Sequence, residues 1–125
     1  MANIVYSIIE SPMHPNLSSL YQRLGMTEVK LTSIRKAINQ LKKQPPAYIV
    51  AEFFYGYGNN YAGVNVSNLD VLLASLPKYS PDTKVIAMVQ KSEHQYVEKL
   101  QALFPVHGVL VHPVDQKKLE ELLKS

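Results

Sequence analysis

Five short apolar runs alternate with segments in which apolar residues recur at helical spacing. Residues 3–7 form the first run, and its β-branched, uncharged pattern is typical of a strand buried on both faces. Residues 27–32 alternate polar and apolar side chains, which predicts a half-buried edge strand. The other runs, at residues 47–54, 85–89 and 109–111, predict three further strands.

Start and stop signals bound the five predicted helices. Prolines prevent the first helix from beginning before Pro15 or Asn16, and Gly25 ends it. The second helix ends before Pro45, and Pro77 terminates the third. The predicted caps are Asn65 or Ser67 for the third helix, Ser92 with Gln95 as a capping box for the fourth, and Asp115 for the fifth.

Strands that alternate with helices predict the fold class. Buried strands joined by helices imply right-handed crossovers and a parallel sheet. We therefore predict an α/β, three-layer (βα)5 flavodoxin-like sandwich with strand order 2-1-3-4-5, forming one domain over residues 1–125. The predicted inward residues of its helices are Leu17, Leu20, Tyr21, Leu24, Ile34, Ala37, Ile38, Leu41, Leu69, Leu72, Leu73, Leu76, Val97, Leu100, Leu103, Phe104, Leu119, Leu122 and Leu123.

Composition narrows the class of protein. Hydrophobic residues make up 46% of the chain and charged residues 18%, which predicts a folded chain rather than a disordered one. No apolar run approaches the roughly 18 residues of a membrane span, and the amino terminus lacks the basic region of a signal peptide. We expect a cytoplasmic protein that does not enter membranes. The absence of cysteine excludes disulfides and thiol chemistry.

The formal charge of +3 is not concentrated in one patch. The lysines and arginine of residues 35–43 lie on one predicted helix, and those of residues 117–124 are interleaved with glutamates. No aromatic interleaving or binding motif accompanies these charges, so we expect no nucleic-acid binding by this domain alone.

Catalytic and metal-binding patterns are absent from the sequence. His14, His94 and His107 lie in separate segments without the spacing of a zinc site. No Gly-x-Ser-x-Gly nucleophile elbow occurs. We predict a protein that is not an enzyme and that uses no cofactor or metal.

The order of elements in the last third carries a family resemblance. Residues 84–90 predict a strand, a helical pattern follows, and residues 108–111 predict a second strand that leads into His112-Pro113 and a closing helix. Together with residues 25–29 and 37–41, this order resembles CheY-like response-regulator receiver domains from Ile4 to Leu123.

The resemblance implies a phosphorylation pocket whose residues can be located in this chain. Receivers place an acidic pair after strand one, a phosphoacceptor aspartate after strand three, a hydroxyl residue after strand four, and a lysine before proline after strand five. Carboxylates there hold Mg²⁺, while the hydroxyl and ammonium groups bind phosphoryl oxygens. The corresponding positions here hold Ile8 and Ile9 with Glu10 next, Glu52, Val89 and His112.

These replacements predict a degenerate receiver, or pseudo-receiver. Isoleucine binds no cation, and one or two carboxylates do not satisfy the octahedral oxygen preference of Mg²⁺. With Val89 and Val109 in place of the hydroxyl and the switch aromatic, the phosphate-driven relay has no moving polar part. Glu52 either supplies a fixed negative charge facing His112 or is a partly solvated acid without a role. The resemblance also implies a cis His112-Pro113 bond.

A tyrosine-rich loop at residues 53–61 is particular to this chain. It emerges where doubly wound sheets bind ligands, so its tyrosines can anchor a protein partner or stack on a small planar ligand. A third interpretation is that the loop folds back and fills the vacated pocket with Phe54 or Tyr55. The candidate partner-binding residues on this loop and on helix four, strand five and helix five are Tyr55, Tyr57, Tyr61, His94, Tyr96, Lys99, Val109, Lys117 and Glu121.

The sequence thus predicts a phosphorylation-independent signalling module of a two-component-type system, an adaptor or regulatory domain that acts by protein contact. The contact is self-association or docking on a signalling partner. One alternative is a small-molecule-binding flavodoxin-like domain that uses the tyrosine loop, Gln90 and His112. Another is a receiver that accepts phosphate unconventionally through Glu10 and Glu52.

Overall fold

A computed structural model of the protein describes residues 3–56 and 67–124. Its five strands form one parallel sheet in the order β2-β1-β3-β4-β5, so the predicted fold class and strand order are confirmed. The strands are β1 (Ile4–Ile8), β2 (Thr27–Leu31), β3 (Tyr48–Glu52), β4 (Lys84–Val89) and β5 (Gly108–Val111). The helices are α1 (Ser18–Arg23), α2 (Ile34–Leu41), α3 (Asp70–Tyr79), α4 (His94–Leu103) and α5 (Gln116–Leu123).

Each face of the sheet carries its own apolar core. Val5, Val50 and Met88 pack with residues of α1 and α5 on one face. Residues of the opposite pleat, such as Tyr6 and Ile49, pack with α2, α3 and α4 on the other. Side chains alternate between the two faces along each strand, so near-continuous apolar strands bury both sides of the sheet.

Several predicted helix boundaries are confirmed by local hydrogen bonds. Gly25 has a φ of 73°, and the N–H groups of Gly25 and Met26 bond to the carbonyls of Gln22 and Tyr21 in a Schellman-type stop after α1. The Asp115 carboxylate accepts from the N–H of Lys117, which caps α5.

Three predictions about helix ends are wrong. Ser67 does not cap α3, which has Leu69 at its N-cap and no side-chain cap hydrogen bond, and Asn65 lies outside the described residues. Pro77 does not terminate α3, which continues for two more residues to Tyr79. The proline removes one helical hydrogen bond, the one that an N–H at this position would donate to the carbonyl of Leu73.

Ser92 and Gln95 do not form a capping box. Residues 91–93 instead form a 3₁₀ turn, and α4 begins at His94 without a side-chain cap.

Three smaller differences concern element ends and burial. Helix α1 begins at Ser18 rather than near Pro15, and strand β3 ends at Glu52, so residues 53 and 54 lie beyond it. Leu103, predicted to face inward, is 57% exposed at the end of α4. Within the described ranges, 3–56 and 67–124, no helix is both long and apolar enough to cross a bilayer.

Candidate functional site

Two carboxylates meet at the edge of the sheet where the parallel strands end. Glu52 is the last residue of β3, and its side chain is only 1% exposed. Glu10 lies two residues after the end of β1 and is half-buried. Because β1 and β3 are neighbours in the sheet, their carboxyl ends bring these two residues together.

The Glu52 carboxylate is enclosed by the loop that follows β1. Its Oε1 accepts a 2.6 Å hydrogen bond from Ser11 Oγ, and its Oε2 accepts a 3.3 Å hydrogen bond from the N–H of Glu10. A buried carboxylate needs such donors, since an unpaired one is costly. The interpretation of Glu52 as a partly solvated acid is therefore wrong.

Asn68 closes the cleft from the other side and was not predicted. Its Nδ2 donates to Glu10 Oε1 and to the backbone carbonyl of Glu52, both at 2.8 Å. Its Oδ1 accepts from the N–H of Phe54 at 2.8 Å. One side-chain amide, 9% exposed, thus ties together the loop after β1, the end of β3 and the segment beyond it.

Burial raises the pKa of the Glu10 carboxyl above its ordinary value of 4.5. The nearby negative charge of Glu52 raises this pKa further, and the hydrogen bond from Asn68 opposes the increase. Ionisation of Glu10 at neutral pH therefore lowers the stability of the fold.

We expect Glu10→Gln to increase the free energy of unfolding at pH 7. The amide keeps an oxygen for the Asn68 hydrogen bond and removes the half-buried charge, so the increase should be small but measurable. The wild type loses stability as pH rises from the unfolded value of 4.5 through the raised folded pKa, and the variant lacks this loss. Urea denaturation from about pH 4 to 7 measures the difference.

The exposed Glu98→Gln in α4 is the matched control and should leave the pH dependence unchanged. Parallel stability curves for the wild type and Glu10→Gln across this pH range would contradict the expectation.

The other predicted pocket positions are the apolar residues Ile8, Ile9 and Val89, together with His112. Ile8 and Val89 are fully buried in the core, and Ile9 is half-buried with its N–H bonded to the carbonyl of Leu31. His112 is half-buried, its N–H bonds to the carbonyl of Val89, and the His112-Pro113 bond is cis as predicted. In the described part of the chain, no hydrogen bond or ion pair joins His112 to Glu52.

The described part of the tyrosine loop does not fill the pocket with Tyr55. That ring stacks on Tyr96 of α4, with centroids 3.8 Å apart and planes 11° apart. Lys99 Nζ lies 5.4 Å from the Tyr55 ring centroid and 5.6 Å from that of Tyr96, and it donates to Tyr55 Oη at 3.4 Å. Phe54 is half-buried and lines a small pocket with Glu10.

The two candidate surfaces, the tyrosine loop and the surface that includes helix four, therefore meet at Tyr55, Tyr96 and Lys99. We call these three residues the α4 platform. The side chains of His94, Lys117 and Glu121 are exposed, and Val109 is half-buried against the core. Tyr57 and Tyr61 lie outside the described residues. Gln90, named for a ligand site, donates to Met13 Sδ at 3.1 Å.

Metal ligands do not converge in the described regions. Among residues 3–56 and 67–124, no group of three or more histidine, aspartate or glutamate side chains is arranged to hold a metal ion. Glu10 and Glu52 are the two carboxylates of the cleft, and N–H and O–H donors already point at their oxygens.

Comparison with known proteins gives structural matches alone. No protein-family model matches the chain, and no curated protein matches its sequence. A response regulator receiver protein from Pseudomonas putida has a TM-score of 0.75 at 17% identity, covering 99% of this chain and 97% of that one. A CheY-like receiver domain protein from Methanospirillum hungatei JF-1 has a TM-score of 0.74 at 9% identity, covering 99% and 92%.

A third similar structure holds a metal. The receiver domain of a sensor histidine kinase from Pseudomonas aeruginosa PAO1, which has a magnesium ion coordinated in its active-site cleft, has a TM-score of 0.71 at 15% identity, covering 99% of this chain and 96% of that one. The chain therefore has the fold of CheY-like response-regulator receiver domains. At these identities the likeness defines the fold, and function must be argued from the site.

Proposed function

We propose that this protein is a receiver-fold signalling module that works without phosphorylation and acts through protein contacts. It serves as an adaptor or regulatory domain of a two-component-type system, in the cytoplasm, and it is not an enzyme. The observation that carries the proposal is the cleft itself, where Ser11, Glu10 N–H and Asn68 direct hydrogen-bond donors at the carboxylates.

The cleft does not suit Mg²⁺. A cation between Glu10 and Glu52 would face the Asn68 amide group, whose two donated hydrogen bonds already take Glu10 Oε1 and the Glu52 carbonyl oxygen. Magnesium demands near-octahedral oxygen coordination, and an N–H donor repels it. The residues that would have to supply further oxygens are the buried Ile8 and the half-buried Ile9.

The residues that would report phosphorylation also favour a fixed state. Val89 is fully buried and Val109 is half-buried in the same core cluster, so neither offers a hydroxyl or an aromatic ring that could change position with a phosphoryl group. A phosphorylation switch needs two states that differ in their contacts with the phosphoryl group. The apolar side chains of Val89 and Val109 offer no polar contact to such a group.

Protein contact is supported by the side chains available at the surface. The α4 platform combines two stacked tyrosines with a lysine, and tyrosine is enriched at the energetic centres of interfaces. His94 on α4 and Lys117 and Glu121 on α5 are exposed and add polar groups to the candidate surface. We propose a signalling protein or a second copy of this chain as the partner, with no role for nucleic acid or membrane.

Incubation with acetyl phosphate and Mg²⁺, followed by intact-protein mass spectrometry, tests phosphorylation independence. We expect no phosphorylated species under conditions that phosphorylate a control receiver domain with an aspartate acceptor. A phosphorylated species that disappears in Glu52→Gln would contradict the proposal and identify an unconventional phosphoacceptor.

Size-exclusion chromatography with light scattering tests the contact surface in the self-association case. If two copies associate through the α4 platform, Tyr96→Ala should raise the dissociation constant of the dimer by roughly 5- to 30-fold, because it removes an aromatic anchor worth roughly 1–2 kcal/mol. The apparent mass of the variant should then fall at a higher protein concentration than that of the wild type. The control is Tyr79→Ala, a half-buried tyrosine of α3. Equal dilution profiles for the two variants would exclude the platform as the self-association surface.

A further inference from the structure

A four-residue segment connects the closed cleft to the surface of α4. Residues 53–56, which we call the strap, begin at the fully buried Phe53 and end at Gly56, which has a φ of 69°. Phe53 anchors the strap, since its N–H bonds to the carbonyl of Met88 and its ring lies in the core. Gly56 provides a backbone conformation that other residues rarely adopt.

The inner end of the strap is bonded to the residue that closes the cleft. Phe54 donates its N–H to Asn68 Oδ1 at 2.8 Å, and its carbonyl accepts from the Asn68 N–H at 3.3 Å. Tyr55 forms an antiparallel bridge with Ser67. The same Asn68 side chain donates to Glu10 and to the Glu52 carbonyl, so the strap and the cleft share one amide.

The outer end of the strap is bonded to α4. The Tyr55 N–H donates to Glu93 Oε1 at 3.2 Å, just before the helix begins. Its ring covers Tyr96, and its hydroxyl accepts from Lys99 Nζ. Tyr55 thus lies on the surface that an aromatic side chain of a partner would use, while remaining 38% exposed itself.

We infer that the strap is a self-docking contact in which Tyr55 occupies the α4 surface in cis and couples that surface to the Glu10–Asn68 closure. A partner that binds the α4 platform separates Tyr55 from Tyr96 and Lys99, contacts all three side chains, and weakens the strap's hold on Asn68. Because coupling free energies are reciprocal, any change that releases Asn68 from Glu10 equally favours exposure of Tyr96. The two states are the strap docked on α4 and the strap released.

This inference goes beyond the proposed function and does not depend on whether the cleft accepts phosphate. The strap experiments use no Mg²⁺ or phosphodonor. A result from them therefore bears on the coupling alone, and the phosphodonor experiment bears on phosphorylation alone.

The first experiment reads the cleft after a change on α4. Tyr96→Ala in the full chain should shift the NMR signals of the Asn68 side-chain amide and increase amide exchange at Tyr55 by roughly tenfold, the change expected from one lost aromatic pair. Lys99→Ala, an exposed substitution that leaves the core intact, should shift the same signals less and in the same direction. Tyr79→Ala, on the opposite end of the domain, should leave them unchanged.

The second experiment reads α4 after a change in the cleft. Asn68→Ala should shift the Tyr96 ring signals toward those of a tyrosine that has lost its stacked neighbour. The coupling is overturned if Lys99→Ala and Tyr96→Ala leave the Asn68 amide signals unshifted, or if Asn68→Ala leaves Tyr96 unshifted in a variant whose other signals show it folded.

Discussion

Asn68→Ala is expected to lower the free energy of unfolding by about 2–3 kcal/mol, measured by urea denaturation. The substitution removes the amide that pairs with Glu10, the Glu52 carbonyl and the Phe54 N–H. A buried group left without a partner costs about 1–3 kcal/mol, and water can reach these groups only in part. This loss of stability should exceed the loss caused by the same substitution at an exposed asparagine.

Asn16→Ala is the matched control. The Asn16 side chain also accepts a backbone hydrogen bond, from the N–H of Ser18 at 3.1 Å, but it is exposed. We expect a loss below about 1 kcal/mol there, because solvent replaces the bond. Equal effects of the two substitutions would mean that Asn68 does not hold the cleft closed.

Ser11→Ala should lower the free energy of unfolding by about 2 kcal/mol. Ser11 Oγ donates to the buried Glu52 carboxylate at 2.6 Å and also accepts from the N–H of Met13. Hydrogen bonds to a charged group contribute about 1.5–3 kcal/mol, and without this one Glu52 Oε1 loses its donor. Chemical denaturation at neutral pH measures the loss.

The exposed Ser19→Ala in α1 controls for the serine-to-alanine change and should alter stability by less than about 0.5 kcal/mol. In a Glu52→Gln background the Ser11→Ala loss should shrink, because the acceptor is no longer charged. A Ser11→Ala loss of the same size in both backgrounds would show that Ser11 does not stabilise a buried charge.

Strand order and core faces could be predicted because they depend on patterns that the sequence displays directly. Continuous apolar runs such as β4 require burial on both sides, and helices between them fix parallel pairing. Asp115 could be predicted as a cap because its hydrogen-bond partner, the N–H of Lys117, lies only two residues further along the chain. Local rules worked where the partners are local.

The local rules failed where tertiary packing or position within a helix decided the outcome. Pro77 lies in the last turn of α3, and the helix continues past it to Tyr79 although the proline removes one helical hydrogen bond. Ser92 has the residue pattern of a capping box, but the chain turns through a 3₁₀ segment at that point. Ser33, which caps α2 by accepting from the N–H of Lys36, was overlooked although it directly precedes the apolar stripe.

The sequence located the two carboxylates of the cleft but not what closes it. Glu10 follows one apolar strand and Glu52 ends another, and an acidic residue at such a position can be recognised in the sequence. Asn68 bonds to Glu10 and Glu52, which lie 58 and 16 positions earlier in the chain. The residues next to Asn68 in the sequence resemble those around an ordinary turn asparagine. The one sequence feature that could have indicated its role is its position beside Ser67, directly before the apolar leucine residues of α3.

The most direct test of the account is an NMR titration of the wild-type protein with Mg²⁺ and then beryllofluoride, a phosphoryl mimic. We predict no saturable shifts at Ser11, Glu52, Asn68 or Val89, under conditions in which the magnesium-binding Pseudomonas aeruginosa receiver responds. Saturable shifts centred on Glu52 and Val89 would contradict the account, because they would show that the cleft opens to a cation and a phosphoryl group.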